Sequence, residues 1–89
     1  MADGGYSVVL TRRARDELAA LPRWVQARVA RALDGLATDP RPRAAKLLAG
    51  NERIWRVRVG DFRVLYEIQV ATLVVLVIRV RYRREAYRR

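Results

Sequence analysis

Cysteine and histidine are both missing from this 89-residue chain. Without cysteine there are no disulfides and no thiolate chemistry, and without histidine the commonest metal ligand and the usual neutral-pH base are lost. Zinc sites, Ser-His-Asp triads and cysteine nucleophiles are thereby excluded, and neither a metal nor a cofactor is expected. A long apolar run is absent too: the longest, Ala71 to Ile78, falls far short of the roughly 20 residues that span a bilayer, so no membrane is expected as a partner. The opening Met1-Ala2-Asp3-Gly4-Gly5 has neither the basic start nor the apolar stretch of a signal peptide. A cytoplasmic protein is therefore expected, in one domain over residues 1–89 with 1–5 as a flexible N-terminus. Acidic residues are scarce, 9 against 19 basic ones, for a net charge of +10. Such a field collects polyanions, so nucleic acid or an acidic protein is the expected partner. Lysine is nearly absent, with Lys46 the sole example beside 18 arginines. A GC-rich genome is one source of that bias. Its physical consequence is a set of planar forks that bind phosphate and stay charged at any physiological pH.

Tyr6 to Leu10, after a glycine pair, is β-branched and aromatic, and predicts a first strand. Thr11 stands where a helix N-cap would. Ala14, Leu18 and Leu21 then recur at helical spacing up to Pro22, which ends one helix and suits the first residue of the next. In the second helix Val25, Val29, Ala32, Leu33 and Leu36 share a face, with Arg23, Arg28 and Arg31 elsewhere as solvated surface, until Asp39-Pro40-Arg41-Pro42 stops it. Beyond a loop containing Lys46 and Gly50 the period changes to 2. Trp55, Val57 and Val59 alternate with Arg56 and Arg58, Gly60-Asp61 supplies a tight turn, and Val64, Tyr66 and Ile68 share the next face. In the last strand, from Thr72 to about Arg83, the same rule predicts Val74, Leu76, Ile78 and Val80 toward the helices. The expected fold is α+β: an N-terminal strand and helix hairpin packed on a twisted antiparallel sheet.

On such a sheet Arg56, Arg58, Arg63, Arg79, Arg81 and Arg83 fall on the face away from the helices. Two readings compete. Like charges on neighbouring strands destabilise a sheet, so a cluster of six points to an anion present in function. Equally, an antiparallel sheet commonly shows water one polar face. Tyr82 and Tyr87 interleave with the cluster and suit base stacking, or else simple packing.

Trp55-Arg56-Val57-Arg58-Val59-Gly60-Asp61-Phe62-Arg63-Val64-Leu65-Tyr66, followed by Val80-Arg81-Tyr82-Arg83-Arg84-Glu85-Ala86-Tyr87-Arg88, resembles the RelE/ParE toxin superfamily of type II toxin–antitoxin systems. The opening strand, the helix ending Leu18-Ala19-Ala20-Leu21-Pro22 and the segment Lys46-Leu47-Leu48-Ala49-Gly50 are less specific parts of the same likeness. It implies a toxin encoded beside an acidic antitoxin that neutralises it, and operator DNA as a partner only through the antitoxin complex. The RelE branch cleaves messenger RNA in the ribosomal decoding site, whereas the ParE branch poisons DNA gyrase; fold alone does not choose between them.

RelE-type toxins use basic residues on the second strand of the sheet, an Arg opening the third, an Arg near the end of the last, and a Tyr shortly after. Carried across, these are Arg56, Arg58, Arg63, Arg83 and Tyr87 as catalytic residues, with Arg79, Arg81, Tyr82 and Arg84 binding RNA. Many relatives have His immediately before the last-strand Arg, where this chain has Tyr82, and some have Lys where it has Arg56 and Arg58. The resemblance implies a metal-independent endoribonuclease, or mRNA interferase, acting by attack of the 2′-hydroxyl on phosphorus. Arg63 suits charge stabilisation and Arg83 the leaving group. Tyr87 is the candidate base because Arg, with a pKa above about 12, accepts no proton; Glu67 and Glu85 stand behind it. A gyrase poison without RNase activity, and a degenerate toxin kept as the DNA-binding partner of its antitoxin, are the alternatives.

Overall fold

A computed structural model describes residues 5–82. Positions 1–4 and 83–89 lie outside the described residues, and with them Arg83, Arg84, Glu85, Tyr87 and the predicted helical turn from Arg84 to Arg89. The element order is β1 (Ser7–Leu10), α1 (Arg12–Ala19), α2 (Arg23–Thr38), β2 (Lys46–Leu47), β3 (Ile54–Val59), β4 (Phe62–Gln69) and β5 (Val74–Tyr82). The strands form one sheet in the order β1-β5-β4-β3-β2. The β2–β3, β3–β4 and β4–β5 pairs are antiparallel, while β1 joins β5 in parallel, so the sheet is mixed. The two-residue β2 was expected as loop; its Lys46 and Leu47 pair with Arg56 and Trp55.

Thr11 caps α1 as expected, its Oγ1 accepting from the Ala14 N–H at 3.1 Å. Pro22 takes the N-cap of α2 rather than its first helical position, a difference of one residue. The helices bury Ala14, Val25, Val29, Leu33 and Leu36 against Val57, Val64, Tyr66, Val75, Val77 and Val80 of the sheet. Tyr66 is wholly buried, and its hydroxyl donates to the Pro40 carbonyl at 2.7 Å, which ties the start of the α2–β2 connection to the core. Burial, helped by the nearby Asp39 and opposed by Arg41, pushes the Tyr66 phenol up to about 12. It is a structural tyrosine that holds its proton.

The β3–β4 turn is the tight hairpin the sequence predicts. Gly60 supplies the positive φ, 61°, that a two-residue turn of this kind needs at its first position.

β5 departs from expectation in a way that shapes everything after it. Its pairing with β4 slips by one residue: Tyr66 faces Val77 but Leu65 faces Arg79, which leaves Ile78 as the extra residue of a β-bulge. The predicted inward set Val74, Leu76 and Ile78 is therefore wrong by one. Val75 and Val77 are fully buried, and only beyond the bulge does Val80 take over on the same face. A strict period of 2 counted back from Val80 misses an inserted residue, and one residue is enough to exchange the faces. Thr11 supports the bulge from the side on which β1 ends, its N–H donating to the Val77 carbonyl at 2.9 Å and its hydroxyl to that of Ile78 at 3.1 Å. No helix among the described residues is long and apolar enough to cross a membrane.

Candidate nucleic-acid interface

With Val75 and Val77 inside, an unbulged β5 would drive residues 79 and 81 into the core. The extra residue at Ile78 turns them outward instead, onto the face opposite the helices. There Arg81 faces Arg63 on β4, and Arg63 faces Arg58 on β3. Directly opposed residues start only about 5 Å apart at Cα, so three guanidinium stems rise in one row across three strands. A second row runs Lys46, Arg56, Leu65, Arg79 across β2 to β5. Four of the predicted site residues, Arg56, Arg58, Arg63 and Arg81, are thus brought together, and Lys46 joins them because β2 forms. A cavity of about 190 Å³ opens between the rows, walled by Arg63, Arg81, Leu48 and Leu65. Two arginines and two leucines share its lining, a side-chain set able to accept an anion.

Arg79 is in a different position from its neighbours. Its Nε and Nη2 donate to Glu17 Oε2 of α1 at 2.9 and 2.7 Å, and Glu17 Oε1 accepts the Val80 N–H at 2.8 Å. Beyond Val77 strand β1 no longer covers the edge of β5, and this one carboxylate takes its place. Burial alone would raise the Glu17 carboxyl, but the hydrogen bonds from Arg79 and Val80 outweigh it and hold the group below the ordinary carboxylate range. Arg79, expected to bind RNA, thus has its guanidinium paired with the Glu17 carboxylate of α1. Sequence reasoning missed Glu17, whose partner lies 62 positions away, and no local pattern marks it.

Tyr82 also leaves the arginine cluster. It pairs with Phe62 on the helix face, their rings meeting edge to face at 5.3 Å. Glu67, a runner-up base, shares the face of Arg63 but stands four residues along β4, about 13 Å at the backbone. It forms an ion pair with Arg53 at 3.5 Å and accepts from Gln69 at 3.1 Å. Arg83, Arg84, Glu85 and Tyr87 lie outside the described residues.

A two-helix layer on a sheet whose outer face carries aligned arginines defines an α+β protein. Residues 8–87 match the family model of the ParE toxin of type II toxin–antitoxin systems, parDE, and the chain belongs to that family, within the RelE/ParE superfamily of toxins. Among solved structures it is similar to the toxin–antitoxin complex RelBE2 from Mycobacterium tuberculosis, with 32% identity, a TM-score of 0.78, and 89% of this chain covering 99% of that one. The archaeal RelE–RelB complex from Pyrococcus horikoshii gives 26% identity and a TM-score of 0.78, covering 89% of this chain and 96% of that one. The intact E. coli RelBE complex gives 25% and 0.77, covering 86% and 95%. No match is found among curated proteins.

Proposed function

We propose that this toxin is a ribosome-dependent endoribonuclease that cleaves messenger RNA and is neutralised by an acidic antitoxin. The observation that supports this reading is the cross-strand row Arg58, Arg63 and Arg81, the last two lining a cavity with Leu48 and Leu65. Cleavage proceeds by attack of the 2′-oxygen on the adjacent phosphorus. The new 2′-O–P bond forms as the P–O5′ bond breaks, one proton leaves the 2′-hydroxyl, another reaches the departing 5′-oxygen, and a cyclic phosphate remains. Arg63 binds the phosphate oxygens where charge develops, and Arg58, Arg81 and Arg56 add field. Arg83 offsets charge on the leaving oxygen. Tyr87 accepts the 2′ proton. A site so poor in tuned acids and bases leaves much of the rate to positioning by the ribosome, and activity on free RNA is expected to be slow or undetectable.

Expression without antitoxin is expected to arrest translation, with primer extension on a reporter message revealing new ends inside translated codons. The match to the ParE toxin family favours one other reading, a gyrase poison. Intact messages together with inhibited gyrase supercoiling would establish that reading and remove the first. The relatives solved as RelE–RelB complexes and the +10 charge of this chain support the antitoxin partner. Its association rate, measured by stopped flow, is expected to fall steeply as salt rises. A rate indifferent to salt would mean that apolar docking governs the encounter.

A further inference from the structure

A second group of arginines lies away from the sheet face, where α2 passes the β3–β4 turn. β2 covers β3 only at Trp55 and Arg56, so the edge beyond is open. A cleft of about 340 Å³ forms there, lined by Arg28 and Arg31 of α2, Arg58 of β3, and Ala32, Val59 and Gly60. Three arginines line it, with no acidic side chain among the described residues of its wall. No ion pair joins any of the three to an acid among the described residues. Gly60 shapes the floor: a Cβ at that position would sit 3.5 Å from Arg28 Nη1, in contact with the guanidinium that lies over the turn. One turn earlier on the same helix face stands Trp24, which is 65% exposed, a large share for an indole. It borders the adjoining apolar hollow with Val25, Phe62 and Asp61.

We propose that this cleft is a second phosphodiester site, which holds single-stranded RNA running on from the arginine face. Arg58 opens onto both surfaces and links them. Arg28, Arg31 and Arg58 take a backbone phosphate, and Trp24 offers a ring face to the neighbouring base. Arginine forks match phosphate geometry, and an aromatic beside them stacks on any base without regard to sequence. Asp61 stands at the Trp24 end, which assigns the phosphate to the Arg31–Arg58 end. The inference depends on the proposed function only for the class of ligand. It gives a role to Arg28 and Arg31, expected from the sequence as plain solvated surface.

The test is fluorescence anisotropy of the whole chain, purified free of antitoxin, with a 2′-O-methylated RNA of about 12 nucleotides that resists cleavage. Arg28 and Arg31 are exposed, so the double variant Arg28→Ala/Arg31→Ala is expected to melt as the wild type does. Near 0.1 M salt its affinity is expected to fall roughly 10- to 30-fold, and its slope of log affinity against log salt by about 1.4, for two lost contacts at about 0.7 each. Trp24→Ala is expected to weaken binding at least about fivefold with the slope unchanged. Unchanged affinity and slope in the double variant would overturn the proposal. So would a double variant that keeps RNA but loses an acidic antitoxin peptide, since the cleft would then be a protein-docking site. A wild type that binds RNA through this cleft yet cuts no ribosome-bound message would remove the RNase reading and leave the site standing.

Discussion

The two halves of β5 differ in composition and in what borders them. From Val74 to Val77 the strand is apolar on both faces, with β1 on one side and β4 on the other. From Arg79 to Tyr82 it alternates arginine with core residues, and on the open side it has a helix carboxylate in place of a strand. One inserted residue, Ile78, separates them. The first half holds the fold together, and the second presents charge that the fold would not choose for its own stability. Both can coexist in one strand because the bulge resets which face each half shows.

Removing the bulge should have the largest effect. Deleting Ile78 forces either Val75 and Val77 out of the core or Arg79 and Arg81 into it. Exposing two valines alone costs roughly 3–6 kcal/mol, a large part of what a small domain has. Expected is an insoluble or unfolded chain by circular dichroism. A deletion variant that melts like the wild type would mean that the slip in register does not set the faces.

Next comes Tyr66→Phe, which leaves the buried Pro40 carbonyl without its donor and is expected to lower stability by about 1–3 kcal/mol in urea titration. The same tyrosine sets an alkaline limit. Its folded pKa, raised to about 12, exceeds the unfolded value of 10, so its contribution is complete below pH 10 and is lost as pH rises through 12. In Tyr66→Phe that part of the alkaline loss should vanish.

Smaller effects are expected where the second half of β5 is tied to α1. Glu17→Gln keeps an acceptor for the Val80 N–H but loses the charge paired with Arg79, at a cost of about 1–2 kcal/mol. Because the Glu17 carboxyl is held below its ordinary value, wild-type stability from this group is present above the unfolded pKa and lost as pH falls through the folded one. The difference between Glu17→Gln and wild type should therefore shrink in acid. A constant difference down to pH 2 would show that the ion pair contributes nothing. The smallest effect is a gain: Leu73 adopts a left-handed φ of 56° just before β5, and Leu73→Gly should relieve up to about 1 kcal/mol of strain. A loss on that change would mean that the leucine side chain matters more than its backbone.

Much of this was legible in the sequence because it is local. Thr11, Pro22 and Gly60-Asp61 announce their cap, helix boundary and turn through their own chemistry, and the helix face of Val25, Val29, Leu33 and Leu36 follows from a period of 3.6. The alternation of Arg56, Arg58 and Arg63 with Val57 and Val64 likewise gave most of the arginine row. The rest depends on contacts distant in sequence. A bulge in a run of Val, Leu and Ile leaves no mark on the pattern, since every residue there is fit for either face. Glu17 and Arg79 meet only because β1 stops short of the end of β5. Arg28 and Arg31 look like any solvated helix arginines until the turn at Gly60 is brought beside them.

Arg63 of β4 stands in the row that Arg81 of β5 completes, whereas Arg79 of β5 is paired with Glu17 of α1. The direct measurement is single-turnover cleavage of messenger RNA on programmed ribosomes, with folded fractions of both variants matched from their melting curves. Arg63→Ala is expected to lose about 10²- to 10³-fold in rate. Arg79→Ala is expected to melt lower while cutting within a few-fold of the wild type. Cleavage by Arg63→Ala at the wild-type rate, or an Arg79→Ala loss as large as the one expected for Arg63, would contradict the assignment of the arginine row as the surface that acts on RNA.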